Sequence, residues 1–309
     1  MIFFWIVLAA LLLFFIVSIA VAWMMYSALL IRSDTLHTSE ASPYQAELAM
    51  VKRWEAEHLA CRKRLVLAAS GATLIGYFFE YPSSRRAVLC VHGYTSEHTE
   101  RLALAPVYYG RGYNILAVDC RAHGESSGIH RTMGYWDQED VVLWARYLTD
   151  VLGMEEIVLD GVSMGAATVL AASAHPLLPS SVRAVVADCG YTSAHDIFAY
   201  QMKKMYHLPA FPVLPIAEWF CRHIGHFSVR ENSPIERTAA SRVPTLFIHG
   251  TRDDFVPYSM VDELYNACQA PKAIARIPGA VHAVSHFACP ELYQKAVCDF
   301  LDQYCEEVR

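Results

Sequence analysis

The sequence predicts an α/β protein. A mostly parallel β-sheet flanked by helices carries a helical cap insertion and follows an apolar N-terminal helix. Three observations predict this. Short apolar runs alternate with helical patterns from about residue 65 onward. Most of those runs end in a polar or glycine-bearing cluster: His92-Gly93, Asp119, Asp160-Gly161, Asp188 and His249-Gly250. Residues 1–31 contain no charged side chain. Continuous apolar strands between helices imply a sheet covered on both faces. In such sheets, functional side chains collect just outside the carboxyl ends of the strands.

Residues 1–31 are expected to form a single transmembrane anchor. A hydrocarbon core about 30 Å thick needs roughly 20 helical residues, and the run exceeds that. Trp5, Trp23 and Tyr26 suit the membrane interfaces. No Lys or Arg precedes the run and no small-residue cleavage site follows it, which argues against a removed signal peptide. Arg32, with Lys52 and Arg53 further on, favours a cytoplasmic catalytic domain. Residues 32–64 read as a polar linker followed by a juxtamembrane helix, with Tyr44, Leu48, Val51, Trp54 and Leu59 on or near one stripe. The basic residues Lys52, Arg53, Arg62, Lys63 and Arg64 fit either a solvated face or anionic lipid headgroups.

The main domain is expected over 65–309. Leu65–Ala69 and Thr73–Glu80 read as a leading hairpin turning at Ser70-Gly71. Further strands are expected at Ala87–Val91, Asn114–Val118, Glu156–Leu159, Val182–Ala187, Thr245–Ile248 and Ala273–Ile277. Helical patterns lie at Asp137–Leu152, Met164–Ala174 and Leu292–Glu306. About 190–241 breaks this rhythm and is rich in aromatics and prolines, among them Tyr191, Phe211, Pro212, Trp219 and Phe220. A connection that long reads as a helical cap over the site.

The net charge of −6 offers no basic footprint, which excludes a nucleic-acid partner. The nine cysteines are odd in number and include no C-x-x-C pair, so neither a disulfide framework nor a zinc site is expected. Unpaired cysteines suit a reducing compartment. His223 and His226 have no third ligand at suitable spacing, and no metal is expected there.

Gly161-Val162-Ser163-Met164-Gly165 fits G-x-S-x-G between a strand and a helix. A strained turn there would lift the Ser163 hydroxyl clear of the sheet, and the glycines would let strand and helix approach closely. A serine hydroxyl needs a base near neutral pH. The chain order serine, acid, histidine points to Asp253 as the orienting acid and His282 as the base. Asp254 is the neighbouring alternative and Asp188 the backup acid; His286 is the rival histidine. Singly, Ser163 would pass as a helix cap, Asp253 as a turn residue and His282 as a loop histidine. The backbone N–H groups of Met164 and Tyr94 are the expected oxyanion donors. The Asp119–Gly128 loop is expected to be structural.

On His92-Gly93-Tyr94, Asp119–Gly128, Gly161–Gly165, His249–Pro257 and Gly279–His282, the chain resembles the α/β-hydrolase superfamily over about Leu65 to Glu306. More narrowly, it looks like bacterial membrane-anchored members with esterase or serine-peptidase-like activity. The resemblance implies the triad Ser163, Asp253 and His282 and no cofactor. The expected activity is hydrolysis of an apolar acyl or aryl ester. Hydrolysis of short peptides, with Glu218 or Arg222 holding a peptide terminus, is the first alternative. The second is a non-catalytic membrane-anchored binding protein on the same scaffold.

Overall fold

The computed structural model describes residues 1–33 and 45–305. Most of the expected polar linker and Glu306 lie outside the described residues. Helix α1 (Ile2–Met25) runs into a π-helical turn, Tyr26–Leu30, and α2 (Gln45–Glu57) leads into the sheet. The strands are β1 (Arg62–Ala69), β2 (Ala72–Phe79), β3 (Arg86–Val91), β4 (Asn114–Asp119), β5 (Glu156–Val162), β6 (Val182–Asp188), β7 (Thr245–Gly250) and β8 (Lys272–Ile277). Between them lie α3 (Ala105–Tyr109), α4 (Asp137–Asp150), α5 (Met164–Ala172), α6 (Ala194–Tyr206), α7 (Val213–Phe220), α8 (Pro234–Ala240) and α9 (Ser259–Ala267). The chain closes with α10 (Ser285–Ala288) and α11 (Pro290–Tyr304).

The eight strands form one sheet in the order β1-β2-β4-β3-β5-β6-β7-β8. β2 pairs antiparallel with β1 and β4, and the remaining pairs are parallel. Successive residues of a strand face opposite sides, and here both sides are dry. Leu89, Leu116, Leu159, Val185 and Phe247 pack with Trp144 of α4 and Leu170 of α5. Val88, Ile115, Val158, Ala184 and Leu246 pack with Tyr108 of α3 and Tyr293 and Phe300 of α11. Burial on both faces explains why the strands read as unbroken apolar runs.

Several boundaries differ from expectation by one to three residues, and the start of the sheet is the one with a physical reason. The sheet begins at Arg62 rather than Leu65, and the preceding helix ends at Glu57. Arg62, Lys63 and Arg64 therefore lie on an edge strand, where they pair with Glu55, Glu80 and Glu125. Charges on an edge strand deter further pairing, and they hide the strand from a search for apolar runs.

The N-terminal helix is docked on the domain. The run Ile2–Leu30 has a mean hydropathy of 3.0 and is long enough to cross a membrane. Residues 1–17 are exposed all round. Burial begins at Ser18 and recurs at Ala22, Tyr26 and Leu30, a four-residue spacing that marks one face. The Tyr26 hydroxyl meets His130 Nε2 at 2.9 Å. The Arg131 N–H donates to the Leu30 carbonyl at 2.8 Å, and the Arg32 N–H to Ile129 at 2.7 Å. The bond from Arg131 absorbs a carbonyl that a helix C-terminus leaves free. The Arg32 guanidinium donates to the carbonyls of Ser126 (2.6 Å) and Gly124 (2.8 Å). Arg32, read above as a topology charge, therefore also clamps the helix to the loop after β4.

Trp144 is 1% exposed and sits between α4 and the sheet. Trp144→Ala is expected to lower stability by about 3–5 kcal/mol through the cavity it leaves. The check is a shift of the denaturant midpoint in detergent. An unchanged midpoint would mean that this face does not hold the sheet.

Candidate active site

Strand β5 delivers Ser163 to a turn with φ 54° and ψ −115°, a conformation that costs a non-glycine residue energy. The two glycines explain the local sequence. A Cβ on Gly161 would lie 2.3 Å from the Gly165 carbonyl oxygen, and one on Gly165 would lie 2.1 Å from that of Val91. Ser163 makes no side-chain cap bond to α5. Its Oγ instead lies 2.8 Å from His282 Nε2. His282 Nδ1 lies 2.7 Å from Asp253 Oδ2. Facing a carboxylate, Nδ1 carries the ring proton, which leaves Nε2 to accept from the serine hydroxyl.

Asp253 is built to stay ionised. Its Oδ1 accepts the N–H groups of Phe255 and Val256, both at 3.0 Å. Its Oδ2 also lies 3.1 Å from His249 Nε2. Burial alone would raise the Asp253 pKa, but the hydrogen bonds from His249 and His282 outweigh it and hold the carboxyl well below its usual range. His249 is wholly buried, and Nε2 also faces the Val256 carbonyl at 3.3 Å. With acceptors on that side, Nε2 is the protonated nitrogen. His249 has no part in the expected triad, and its four-residue spacing from Asp253 is the signal for this contact.

The loop after β3 closes on the serine from the other side. A Cβ on Gly93 would sit 3.4 Å from Ser163 Cβ. His92 Nε2 accepts the Cys120 N–H at 3.0 Å, so its Nδ1 holds the proton and donates to the Gly93 carbonyl at 2.6 Å. This ties the ends of β3 and β4 together. Met164 is the first residue of α5, where an N–H has no partner within the helix. The Tyr94 N–H has no backbone acceptor among the described residues. The Tyr94 hydroxyl donates to the Leu29 carbonyl at 2.6 Å.

The alternatives fall elsewhere. Asp254 is exposed and paired with Lys204 at 2.9 Å. His286 is buried with no partner on either ring nitrogen among the described residues, and burial lowers its pKa to about 3. Asp119 accepts the N–H of His98 and of Glu125, each at 2.8 Å, as a structural residue should. Glu218 accepts from Ser228 and Val229 and pairs with Arg222, which also holds Glu231. Both groups suggested for a peptide terminus are thus spent inside the cap. His223 bonds the Trp219 carbonyl and stacks on its ring. Cys189 brings its sulfur within 4.8 Å of ligand atoms of Asp253 and His282. Burial pushes its thiol pKa well above the ordinary value, and the sulfur is buried like a small hydrophobe. All nine cysteines are free.

Beneath the site, Arg101 and Asp160 form a fully buried ion pair. The Asp188 carboxyl is also buried, and neither oxygen has a hydrogen-bond partner among the described residues. Burial raises its pKa to about 6, against the pull of Arg101 and His249.

Comparison with known proteins agrees with this architecture. Residues 86–209 match the α/β-hydrolase fold family, and residues 159–284 match a serine hydrolase family, FSH1. The uncharacterized protein YqkD of Bacillus subtilis is 31% identical over 242 residues, covering 77% of this chain and 78% of YqkD. Protein bem46 of Schizosaccharomyces pombe is 25% identical over 227 residues, covering 72% of this chain and 69% of its own. The Pyrococcus furiosus esterase Pf2001 superposes with a TM-score of 0.65 at 25% identity, covering 79% of this chain and 93% of the esterase. The chain belongs to the α/β-hydrolase superfamily. These matches support an enzyme of the hydrolase class.

The Asp188 environment gives a signed pH dependence. Its folded pKa of about 6 lies above the unfolded value, so its contribution to stability is full below about pH 4 and is lost as pH rises through 6. Wild type is expected to lose roughly 1–3 kcal/mol relative to Asp188→Asn between pH 4 and 7.5. Denaturant titrations across that range check this. A difference between the two proteins that stays constant with pH would refute it.

Proposed function

We propose that this protein is a membrane-anchored serine hydrolase that cleaves carboxylic esters with apolar acyl or aryl groups. The observation that carries this reading is the continuous contact from Ser163 Oγ through His282 to Asp253, at 2.8 and 2.7 Å. His282 takes the Ser163 proton as Oγ attacks the ester carbonyl, and Asp253 stabilises the imidazolium that forms. The N–H groups of Met164 and Tyr94 receive the developing oxyanion. The alkoxide leaves with the proton from His282, giving an acyl-enzyme on Ser163. A water activated by the same imidazole then releases the acid and restores the serine. Aromatic residues of the cap and the apolar first helix support an apolar substrate. Arg32, Lys52 and Arg53 after the first helix, together with nine free cysteines, favour a domain facing the cytoplasm.

Fluorophosphonate labelling and a p-nitrophenyl ester series test this reading. Label is expected on wild type and absent from Ser163→Ala, with ester turnover falling at least about a thousand-fold. A folded Ser163→Ala protein that keeps near wild-type turnover would remove Ser163 from its role.

His249→Leu is expected to keep labelling but lower kcat roughly ten-fold or more, because a charge-assisted bond worth about 1.5–3 kcal/mol no longer steadies Asp253. Its KM should change little. A variant with raised KM and unaltered kcat would place His249 outside the positioning of the acid.

A further inference from the structure

The first helix and the cap meet in a way that fixes the depth of the domain. Residues 1–17 are exposed on every side, and protein contacts begin at Ser18. At 1.5 Å per residue, the exposed segment is about 25 Å long, close to the thickness of a hydrocarbon core. No spacer separates that segment from the folded domain. Ala22 packs against Val213 and Leu214 at the start of α7 and Met202 of α6. The Trp23 ring lies 5.1 Å from that of Phe220, which lies 5.4 Å from that of Trp219.

The cap beside this seam shows large apolar side chains to the outside. Phe211 is 75% exposed and Trp219 is 53% exposed, and Met205, Tyr206 and Ile224 are exposed as well. On the first helix, Trp23, which packs beside Phe220, and its neighbour Met24 are exposed as well. Lys203 and Lys204 occupy the last turn of α6 at the margin of this face. Grouped apolar residues with aromatic and basic neighbours are the composition of an interfacial membrane contact, whereas scattered exposed apolar residues would need no explanation.

We propose that this cap face is a second membrane-contacting surface, seated at the headgroup–acyl boundary of the bilayer that holds the first helix, and that the site draws its ester from that bilayer. The inference rests on the anchor and esterase reading above. The docked helix and the cap are each joined to one side of the site. The Tyr94 hydroxyl bonds Leu29 at the docked end of the helix. On the other side, Tyr200, Gln201 and Lys204 of α6 donate to the carbonyls of Asp254 and Phe255, just beyond Asp253. The Phe255 ring packs 4.9 Å from that of His282. A bilayer that seats both the first helix and the cap therefore bears on the Tyr94 loop through Leu29 and on the Asp253 loop through α6.

The test uses the full chain in phosphatidylcholine vesicles, with and without dibrominated acyl chains, which quench tryptophan on contact. Six tryptophans contribute to the emission. Trp5→Phe and Trp219→Phe are each expected to remove part of the quenched amplitude. Loss with Trp5→Phe alone would leave the anchor standing and overturn cap docking. Loss with neither would overturn the anchor as well. Delivery of substrate is read separately with Phe211→Glu. Turnover of p-nitrophenyl palmitate held in vesicles should fall roughly ten-fold, while p-nitrophenyl acetate in solution is unaffected. Equal effects on both esters would overturn delivery from the bilayer. Wild type inactive on both esters would overturn the esterase reading, and the quenching result would still decide the docking.

Discussion

The approach of Gly165 to the end of β3 is the constraint on which the site depends. The first turn of α5 lies so close to the Val91 and His92 carbonyls that any side chain at position 165 would overlap them. Strand β5 must therefore turn within one residue, and Ser163 absorbs the turn in a positive-φ conformation. The hydroxyl is lifted toward His282, while Met164 places its N–H at the open end of the helix. The same closeness sets Gly93 against Ser163, so the loop after β3 and the Ser163 turn are positioned by one contact. The strain is held by the packing of α5, whose residues are all buried.

Charge placement beneath the turn separates two aspartates that the sequence alone leaves comparable. Asp188 and Asp253 follow neighbouring strands and are both buried. Asp253 receives two backbone N–H groups and faces two imidazoles, and it is held ionised. Asp188 lacks such donors and is driven toward its neutral form. A neutral acid next to an imidazole would not fix the tautomer that a base requires. The difference lies in hydrogen-bond supply rather than in exposure.

Most of the sheet was legible because both of its faces are dry, so β3 to β7 appear as apolar runs. The arrangement at Ser163, Asp253 and His282 was legible because each follows a strand and the glycine spacing around the serine has a steric cause. Other features lacked a local signal. The charged start of β1 is set by edge position, which reverses the apolar rule. The docking of the first helix leaves no contrast in a segment that is apolar all round; only the spacing of Ser18, Ala22, Tyr26 and Leu30 marks the buried face. Arg101 and Asp160 are 59 residues apart and meet only through the folded sheet.

The geometry of the sheet explains why the histidine must come from a loop. Ser163 follows β5, Asp253 follows β7, and His282 follows β8, the outermost strand of the three. Strands lie about 4.8 Å apart, so β8 stands roughly 14 Å from β5. No side chain at the end of β8 spans that distance. The chain after Ile277 folds back over the strand ends, through Gly279 at φ 72° and Ala283 at φ 59°, and carries the imidazole between the other two residues. Asp253, one strand nearer, meets it midway. His282 is thus placed by a longer loop, while Ser163 and Asp253 stand one and three residues past the ends of β5 and β7. The hydrogen bond from His282 to Asp253 then fixes the imidazole that the longer loop carries. A cap helix that bonds the carbonyls of Asp254 and Phe255 reaches the site at that same point, where its geometry is least fixed by the sheet.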